Sequence, residues 1–136
     1  MLYFSAQNLW KYLSKYIIMT TKEIATRLVS LCREGEFEKA QKELYSENAV
    51  SIEPMASPDF AKETKGLKGI LDKGHKFQSM IDKVHGNTIS EPLVADNAIA
   101  FKLSMDVTMK GKRSTMNELC VYEVKDGKVV LEEFFM

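Results

Sequence analysis

The second half of the chain consists of four consecutive segments in which apolar and polar residues alternate. A period of two is that of a β-strand with one buried face. The pattern predicts strands at about 84–94, 98–109, 113–124 and 128–135, separated by short polar turns. Because short turns join antiparallel neighbours, these segments must form a meandering sheet whose apolar face needs a cover.

The first half of the chain supplies that cover as helices. Apolar residues at helical spacing predict helices at about 21–34, 36–44 and 67–84. Thr20 and Glu23 have capping-box spacing at the start of the first helix. A strand is predicted at 49–53 and a loop at 55–65. The order of elements is therefore that of an α+β domain with three helices and a mixed or antiparallel sheet.

Residues 1–18 differ in character from this domain. Lys11 and Lys15 interrupt their apolar run, so the segment is neither a typical secretory signal nor a membrane span. It can be an added helix that packs on the domain or a partner, a membrane-surface helix, or an extension upstream of a true start at Met19. We favour a peripheral extension, helical or flexible, ahead of a domain over 19–136.

Composition narrows the class of partner. Hydrophobic residues make up 45% of the 136 residues, and 19 basic residues balance 19 acidic ones. A chain without excess positive charge is not expected to bind nucleic acid, and we expect no membrane partner. Cys32 and Cys120 lie far apart without metal-ligand spacing, which is typical of free thiols in a cytoplasmic protein. No motif for a cofactor or a metal is present in the sequence, so neither is expected.

The turns set the register of the last three strands. A two-residue loop at 126–127 places Glu118 opposite Phe135, and one at 111–112 places Glu118 opposite Met105. Opposed residues share a face of the sheet, so one face becomes apolar and must contact the helices. The apolar face carries Ile99, Phe101, Leu103, Met105, Val107, Met109, Met116, Cys120, Tyr122, Val124, Val129, Leu131 and Phe135. The other face carries Lys102, Ser104, Asp106, Thr108, Arg113, Thr115, Asn117, Glu123 and Glu132.

Two carboxylates interrupt the apolar face in this register, Glu118 and Glu133. Burying a carboxylate without partners costs several kcal/mol, so an inward glutamate indicates a wet pocket or a pairing partner. Beside a second carboxylate in an apolar site, such a group becomes a candidate proton donor or base. A β-bulge would instead turn Glu133 outward and Glu132 inward. The predicted pocket comprises Gln78, Phe101, Met105, Met116, Glu118, Tyr122, Glu133 and Phe135.

Three other polar residues are weaker candidates. Val50 and Ile52 are predicted to face inward, which turns Glu53 outward unless the strand bends at Pro54. His75 flanks the stripe of the third helix and is interpreted as a rim or surface residue. His85 begins a strand without a visible partner, so no metal site is expected.

The order of elements resembles the nuclear transport factor 2-like superfamily, which includes ketosteroid isomerase and the SnoaL-like polyketide cyclases. The similar stretches are RLVSLCREGEFEKA in the first helices, ELYSENAVSIEP at the first strand and CVYEVKDGKVVLEEFF in the last hairpin. The resemblance covers about residues 20–136 and implies a cone-shaped fold in which three helices pack on a strongly curved sheet. It says little about activity, because this fold serves enzymes and binding modules alike.

The sequence also departs from the resembling enzymes. The first helix has no inward tyrosine, where ketosteroid isomerases keep an oxyanion-hole donor. The last strand ends in Phe134-Phe135-Met136, where SnoaL-like cyclases use an aspartate. These departures argue against transferring either mechanism.

Two functional hypotheses follow. The chain is a SnoaL-like pocket protein for a small apolar ligand, with proton transfer next to a carbonyl as the reaction class if it is an enzyme. The alternative is a non-catalytic homodimeric module, joined through the convex sheet face, whose cone is filled by its own side chains.

Overall fold

The structure, a computed structural model, describes Ser5, Ala6, Asn8, Leu9 and residues 18–136, and within 18–136 the chain forms three helices and seven strands. The predicted extension over 1–18 lies mostly outside these residues. The helices are α1 (Thr21–Arg33), α2 (Phe37–Leu44) and α3 (Leu67–Met80). The strands are β1 (Tyr45–Ile52), β2 (Glu63–Lys65), β3 (Ile81–Ile89), β4 (Leu93–Ala95), β5 (Ala98–Met109), β6 (Lys112–Lys125) and β7 (Lys128–Phe135).

All seven strands belong to one sheet, and the helices cover one of its faces. The order is β2-β1-β7-β6-β5-β3, with β4 paired to β5. The sheet is mixed because β1 runs parallel to β7 while the other pairs are antiparallel. The predicted α+β class, with three helices on a mixed sheet, is confirmed. We call the face that contacts the helices the inner face and the opposite one the outer face.

Helix α1 begins where the sequence predicts. Thr20 Oγ1 accepts a hydrogen bond from the Glu23 backbone N–H, and Glu23 Oε1 accepts one from the Thr20 N–H, each at 3.1 Å. This reciprocal capping box satisfies two backbone donors that the helix itself leaves free. The inner side of the helix is completely covered, and its buried residues are Ile24, Ala25, Leu28, Val29, Leu31 and Cys32.

The β5–β6 turn differs from the prediction by a shift of the loop. Lys110 (φ 50°) and Gly111 (φ 75°) adopt the left-handed conformation, so the loop is Lys110-Gly111 rather than Gly111-Lys112. Glu118 therefore lies opposite Leu103 instead of Met105. The register moves by two residues, and an even shift leaves every side chain on its predicted face.

A bulge in β7 changes the faces in the last hairpin. The pairing begins as predicted, with Val124 opposite Val129, but Glu123 then lies opposite Leu131, so one residue of β7 is extra. One extra residue exchanges the two faces of a strand from that point on.

The bulge overturns several predicted placements. Glu132 is only 3% exposed and points inward, whereas Phe135 is 49% exposed and lies on the outer face. Glu133 shares the outer face with Phe135, because it is two residues away on the same strand. Leu131, predicted inward, lies on the outer face for the same reason.

In β1, too, the residues that point inward are those that were predicted to point outward. It begins at Tyr45, and a register shift lies between Tyr45 and Val50 in its pairing with β7. Ser51 is fully buried, whereas Val50 and Ile52 are half-buried. Glu53, the next residue in the alternation, therefore turns to the inner side.

Other boundaries shift by a few residues. Helix α3 ends at Met80, so β3 begins at Ile81 rather than 84, and the predicted loop at 55–65 contains the short β2. Within the described residues, no helix is both long and apolar enough to cross a membrane.

Candidate functional site

A cavity of about 340 Å³ lies between the helices and the inner face of the sheet. This volume is within the usual range of small-molecule sites, roughly 300–1,000 Å³. Most of its wall is apolar. The apolar and aromatic residues that line it include Leu28, Phe37, Ile70, Leu71, Phe77, Leu103, Met105, Met116 and Phe134. Against this wall, a few polar groups stand out: Tyr45, Glu53, Lys73, Glu118, Tyr122 and Glu132.

Glu118 reaches the cavity from β6. Burial, reinforced by the negative charge of Glu53, raises the pKa of its carboxyl group to about 7. The carboxyl group accepts one weak hydrogen bond, since the Cys120 thiol donates to Oε1 across 3.8 Å. A carboxyl group with a pKa near neutrality is half-protonated at physiological pH, so it can both donate and accept a proton.

Glu132 lies on β7 and has a stronger partner. The Tyr45 hydroxyl donates a hydrogen bond to Glu132 Oε2, and both side chains are buried. Burial raises the pKa of Glu132, while the hydrogen bond from Tyr45 and the charge of Lys73 oppose that shift. A carboxyl group that is fully enclosed and held by a tyrosine is a structural part of the cavity floor.

Lys73 projects from α3 into the same cavity. Its Nζ donates to Ser51 Oγ at 2.5 Å and to Glu53 Oε1 at 2.8 Å. The Lys73 side chain is 14% exposed and that of Glu53 24%. The Nζ atom also lies 5.7 Å from the centre of the Phe134 ring. The cavity therefore contains a fixed cation, which is paired with the carboxylate of Glu53.

The structure brings together most of the residues that the sequence predicts for the pocket. Gln78, Met105, Met116, Glu118 and Tyr122 line the cavity. Phe101 is buried behind that wall, where it stacks on Tyr122 with ring centres 5.3 Å apart. Glu133 and Phe135 do not line the cavity, because the β7 bulge places them on the outer face.

Sequence reasoning missed three inward polar residues: Tyr45, Glu53 and Lys73. It predicted Glu132 inward only in the alternative in which the last strand contains a bulge, which is the arrangement that the structure has. Lys73 had a detectable signal, since it lies three residues after Ile70 and four before Phe77, on the buried face of α3. Tyr45 and Glu53 had none, because their facing depends on irregular strand pairing.

His75 lines the cavity at its rim, and His85 lies outside the cavity. His75 Nε2 is 2.8 Å from Glu38 Oε1 at the rim, and both side chains are accessible. His85 Nε2 is 2.7 Å from Thr108 Oγ1 on the exposed side of β3. Among the described residues, no group of three or more His, Cys, Asp or Glu side chains is placed to hold a metal ion.

Comparison with known proteins identifies the family. The family profile described as "SnoaL-like domain" matches residues 19–136. A crystal structure from Mesorhizobium loti, provisionally named a SnoaL-like polyketide cyclase, is 30% identical with a TM-score of 0.81, covering 87% of this chain and all of that one. The chain belongs to the SnoaL-like family, within the superfamily that the sequence predicted.

More distant structures share the fold alone. TerC, co-crystallised with polyporic acid, is 13% identical with a TM-score of 0.70, covering 85% of this chain and 90% of that one. A Bacillus subtilis protein provisionally named an isomerase is 22% identical with a TM-score of 0.64, covering 85% and 88%. No curated protein matches the chain at a significant level.

Proposed function

We propose that the cavity binds a small, mainly apolar, carbonyl-bearing molecule, and that Glu118 transfers a proton at or next to its carbonyl group. The observation that supports this most directly is the position of Glu118: an inward carboxyl group in an apolar cavity, with a pKa raised to about 7 by burial and by Glu53. The names of the related structures, a polyketide cyclase and an isomerase, are consistent with proton transfer beside a carbonyl.

The protonation state of Glu118 sets the expected pH dependence. Below pH 7 the protonated carboxyl can donate a hydrogen bond to a ligand carbonyl, and above it the carboxylate cannot. The buried carboxylate of Glu118 would then face the carbonyl oxygen of the ligand, so two acceptors would lose water without gaining a donor. Affinity for a ketone is therefore expected to fall as the pH rises through 7.

Binding of 6-propionyl-2-(dimethylamino)naphthalene, a neutral fluorescent ketone, measures this dependence. We expect saturable binding with a blue-shifted emission, several-fold tighter at pH 5.5 than at pH 8.5. In Glu118→Gln the affinity should not change with pH. Glu133→Gln is the matched control, since this carboxyl lies on the outer face next to the inward Glu132, and it should behave like the wild type. Absence of saturable binding, or a pH profile unaffected by Glu118→Gln, would contradict the proposal.

Proton transfer is measured separately by deuterium exchange into the methylene group next to that ketone in D₂O. The wild type should accelerate exchange with a rate that rises through pH 7, where Glu118 becomes a base. Glu118→Gln should abolish the acceleration, and Glu133→Gln should retain it. Binding without acceleration would restrict the function to ligand binding.

A second function is favoured by the outer face of the sheet. We propose that two copies of the chain associate through this face, as a homodimeric module. Leu119 and Phe135 lie directly opposite each other there, 47% and 49% exposed, and half-buried Val121 and Leu131 extend the apolar surface. Large apolar side chains that adjoin on a sheet face are typical of association surfaces. Two pairs of polar side chains on the same face already bind each other: Ser104 Oγ donates to Asn117 Oδ1 at 2.6 Å, and Arg113 forms an ion pair with Asp106.

A further inference from the structure

The lysine in the cavity is the feature that the proposed function leaves without a role. Lys73 lies on the buried side of α3, in line with Ile70 and Phe77, where an apolar residue would complete the stripe. Its ammonium group is instead held at the cavity wall by Ser51 and Glu53. The ammonium group is therefore held between two elements: Lys73 belongs to α3, Ser51 belongs to β1, and Glu53 directly follows β1.

A purely structural role explains this arrangement poorly. Removing an ammonium group and a carboxylate from water costs several kcal/mol, and their mutual attraction repays this only with good additional hydrogen bonds. Lys73 also loses the rotamer freedom of a long side chain. An apolar residue facing the cavity would cover α3 at a smaller cost. The ammonium group has three donors, and two of them have acceptors among the described residues.

The carboxyl groups around Lys73 leave its positive charge available to a ligand. Glu53 offsets the charge of Lys73 in part, and its side chain is 24% exposed, so solvent screens this pair in part. Glu38, which also lines the cavity, is paired with Lys42 and His75 at the rim. Glu132 is occupied by the Tyr45 hydroxyl. Burial raises the pKa of Glu118 to about 7, so near pH 6 this carboxyl group is largely neutral and does not repel an anion.

We propose that Lys73 is a specificity-determining residue: its ammonium group, positioned by Ser51 and Glu53, binds an anionic oxygen of an otherwise apolar ligand. This inference rests on the proposed function, because it assigns the substrate class of the same cavity. The ligand would be an organic acid, carrying a carboxylate, enolate or phenolate oxygen for Lys73 and a carbonyl group for Glu118. A single charge-assisted hydrogen bond of this kind is stronger than one between neutral groups.

A pair of probes of equal size separates charge recognition from apolar binding. 2-Naphthoate carries a carboxylate where 2-acetylnaphthalene carries a neutral acetyl group, and naphthoate is ionised at pH 6. We expect the wild type at pH 6 and low salt to bind naphthoate about ten times more tightly than the ketone, as measured by calorimetry. Lys73→Met should weaken naphthoate binding by about tenfold and change ketone binding by less than about threefold. Lys73→Arg, which keeps the charge, should retain most of the preference.

Two further variants exclude a structural explanation. Glu53→Gln removes the negative charge that competes with the ligand for Lys73, so naphthoate affinity should rise. If the Lys73–Glu53 ion pair were merely structural, this variant would instead be less stable and would bind naphthoate more weakly. Lys76→Met is the matched control on the same helix, since Lys76 binds the Asp59 carbonyl oxygen outside the cavity, and both probes should bind it as they bind the wild type. Ketone binding to Lys73→Met itself reports that this variant is folded.

The outcomes distinguish the two proposals. If the wild type binds both probes equally, or if Lys73→Met weakens both equally, the assignment of Lys73 is wrong while the apolar cavity keeps its ligand-binding role. If neither probe binds the wild type, both the assignment of Lys73 and the proposed ligand cavity are overturned. A tenfold preference that only the Lys73 variants change supports the assignment.

Discussion

At the scale of single residues, two inward glutamates on neighbouring strands differ in their partners. Glu132 receives the Tyr45 hydroxyl and is enclosed, whereas Glu118 has only a long contact from the Cys120 thiol. A buried carboxyl group without a strong donor is easier to protonate, because its charged form lacks stabilisation. The same burial that makes Glu118 a candidate acid and base therefore reduces the stability of the folded protein at neutral pH.

The pH dependence of folding tests this directly. The pKa of Glu118 is raised by burial and by Glu53 from its ordinary 4.5 to about 7, so the folded state binds a proton more tightly than the unfolded state between these values. The contribution of Glu118 to the free energy of unfolding is therefore greatest below pH 4.5, falls as the pH rises to 7, and is constant above. Relative to Glu118→Gln, the wild type should lose about 2–3 kcal/mol over this window, since one pKa unit corresponds to about 1.4 kcal/mol.

Urea unfolding at half-unit pH intervals from 4.5 to 8 measures this difference. Glu133→Gln is again the control, because the outward carboxyl should leave the pH profile of the wild type unchanged. Parallel profiles for the wild type and Glu118→Gln would show that Glu118 ionises normally.

At the scale of elements, the helices are specified by local sequence signals, whereas the facing of the strands is specified by their pairing. Helix α1 begins at a cap encoded within four consecutive residues, and its buried face follows from its periodicity. The β7 strand, in contrast, changes its facing at a bulge that no short sequence motif marks. The two acid positions of the cavity therefore depend on the sheet, while the helices that cover it depend mainly on their own sequence.

Substitution of the cap tests how much a local signal contributes. Thr20→Ala removes the acceptor for the Glu23 N–H, and we expect the free energy of unfolding to fall by about 1 kcal/mol. Thr26→Ala is the matched control, because Thr26 lies within the same helix and its hydroxyl only donates back to the Lys22 carbonyl oxygen. This variant should be neutral or slightly stabilising, since alanine is the better helix former. Equal losses in the two variants, measured by urea unfolding, would contradict the role of the cap.

At the scale of the whole molecule, one sheet separates two candidate functions. Its inner face forms the cavity with the helices, and its outer face presents the opposed pair Leu119 and Phe135. Because the two faces alternate along each strand, substitutions on the outer face need not disturb the cavity.

Sedimentation velocity tests the proposed association. We expect the wild type to sediment as a dimer at micromolar concentration and Leu119→Lys to shift to a monomer, because a buried unpaired charge is unfavourable at an apolar interface. Binding of the fluorescent ketone should be unchanged in this variant. Met55→Lys, at an equally large side chain that is 72% exposed in the loop after β1, is the control and should remain a dimer. A monomeric wild type would count against the dimer and leave the cavity proposals intact.

The sequence by itself determined the fold class, the helix positions and most of the inner face. Periodicity placed Met105, Met116, Glu118 and Tyr122 correctly even though the β5–β6 loop was misplaced, because an even register shift preserves facing. Both cysteines, predicted as free thiols, are buried and unpaired among the described residues. These features depend on spacing along one segment, which the sequence contains.

Only the tertiary structure decided which other polar groups face the cavity. The extra residue of β7 exchanged Glu133 and Phe135 for Glu132 and Phe134. The irregular pairing of β1 with β7, between residues that are far apart in sequence, turned Ser51 and Glu53 toward Lys73. Facing in a strand has a period of two, so a single irregularity reverses it, and where that irregularity falls depends on the parallel neighbour and the helices that pack above the sheet.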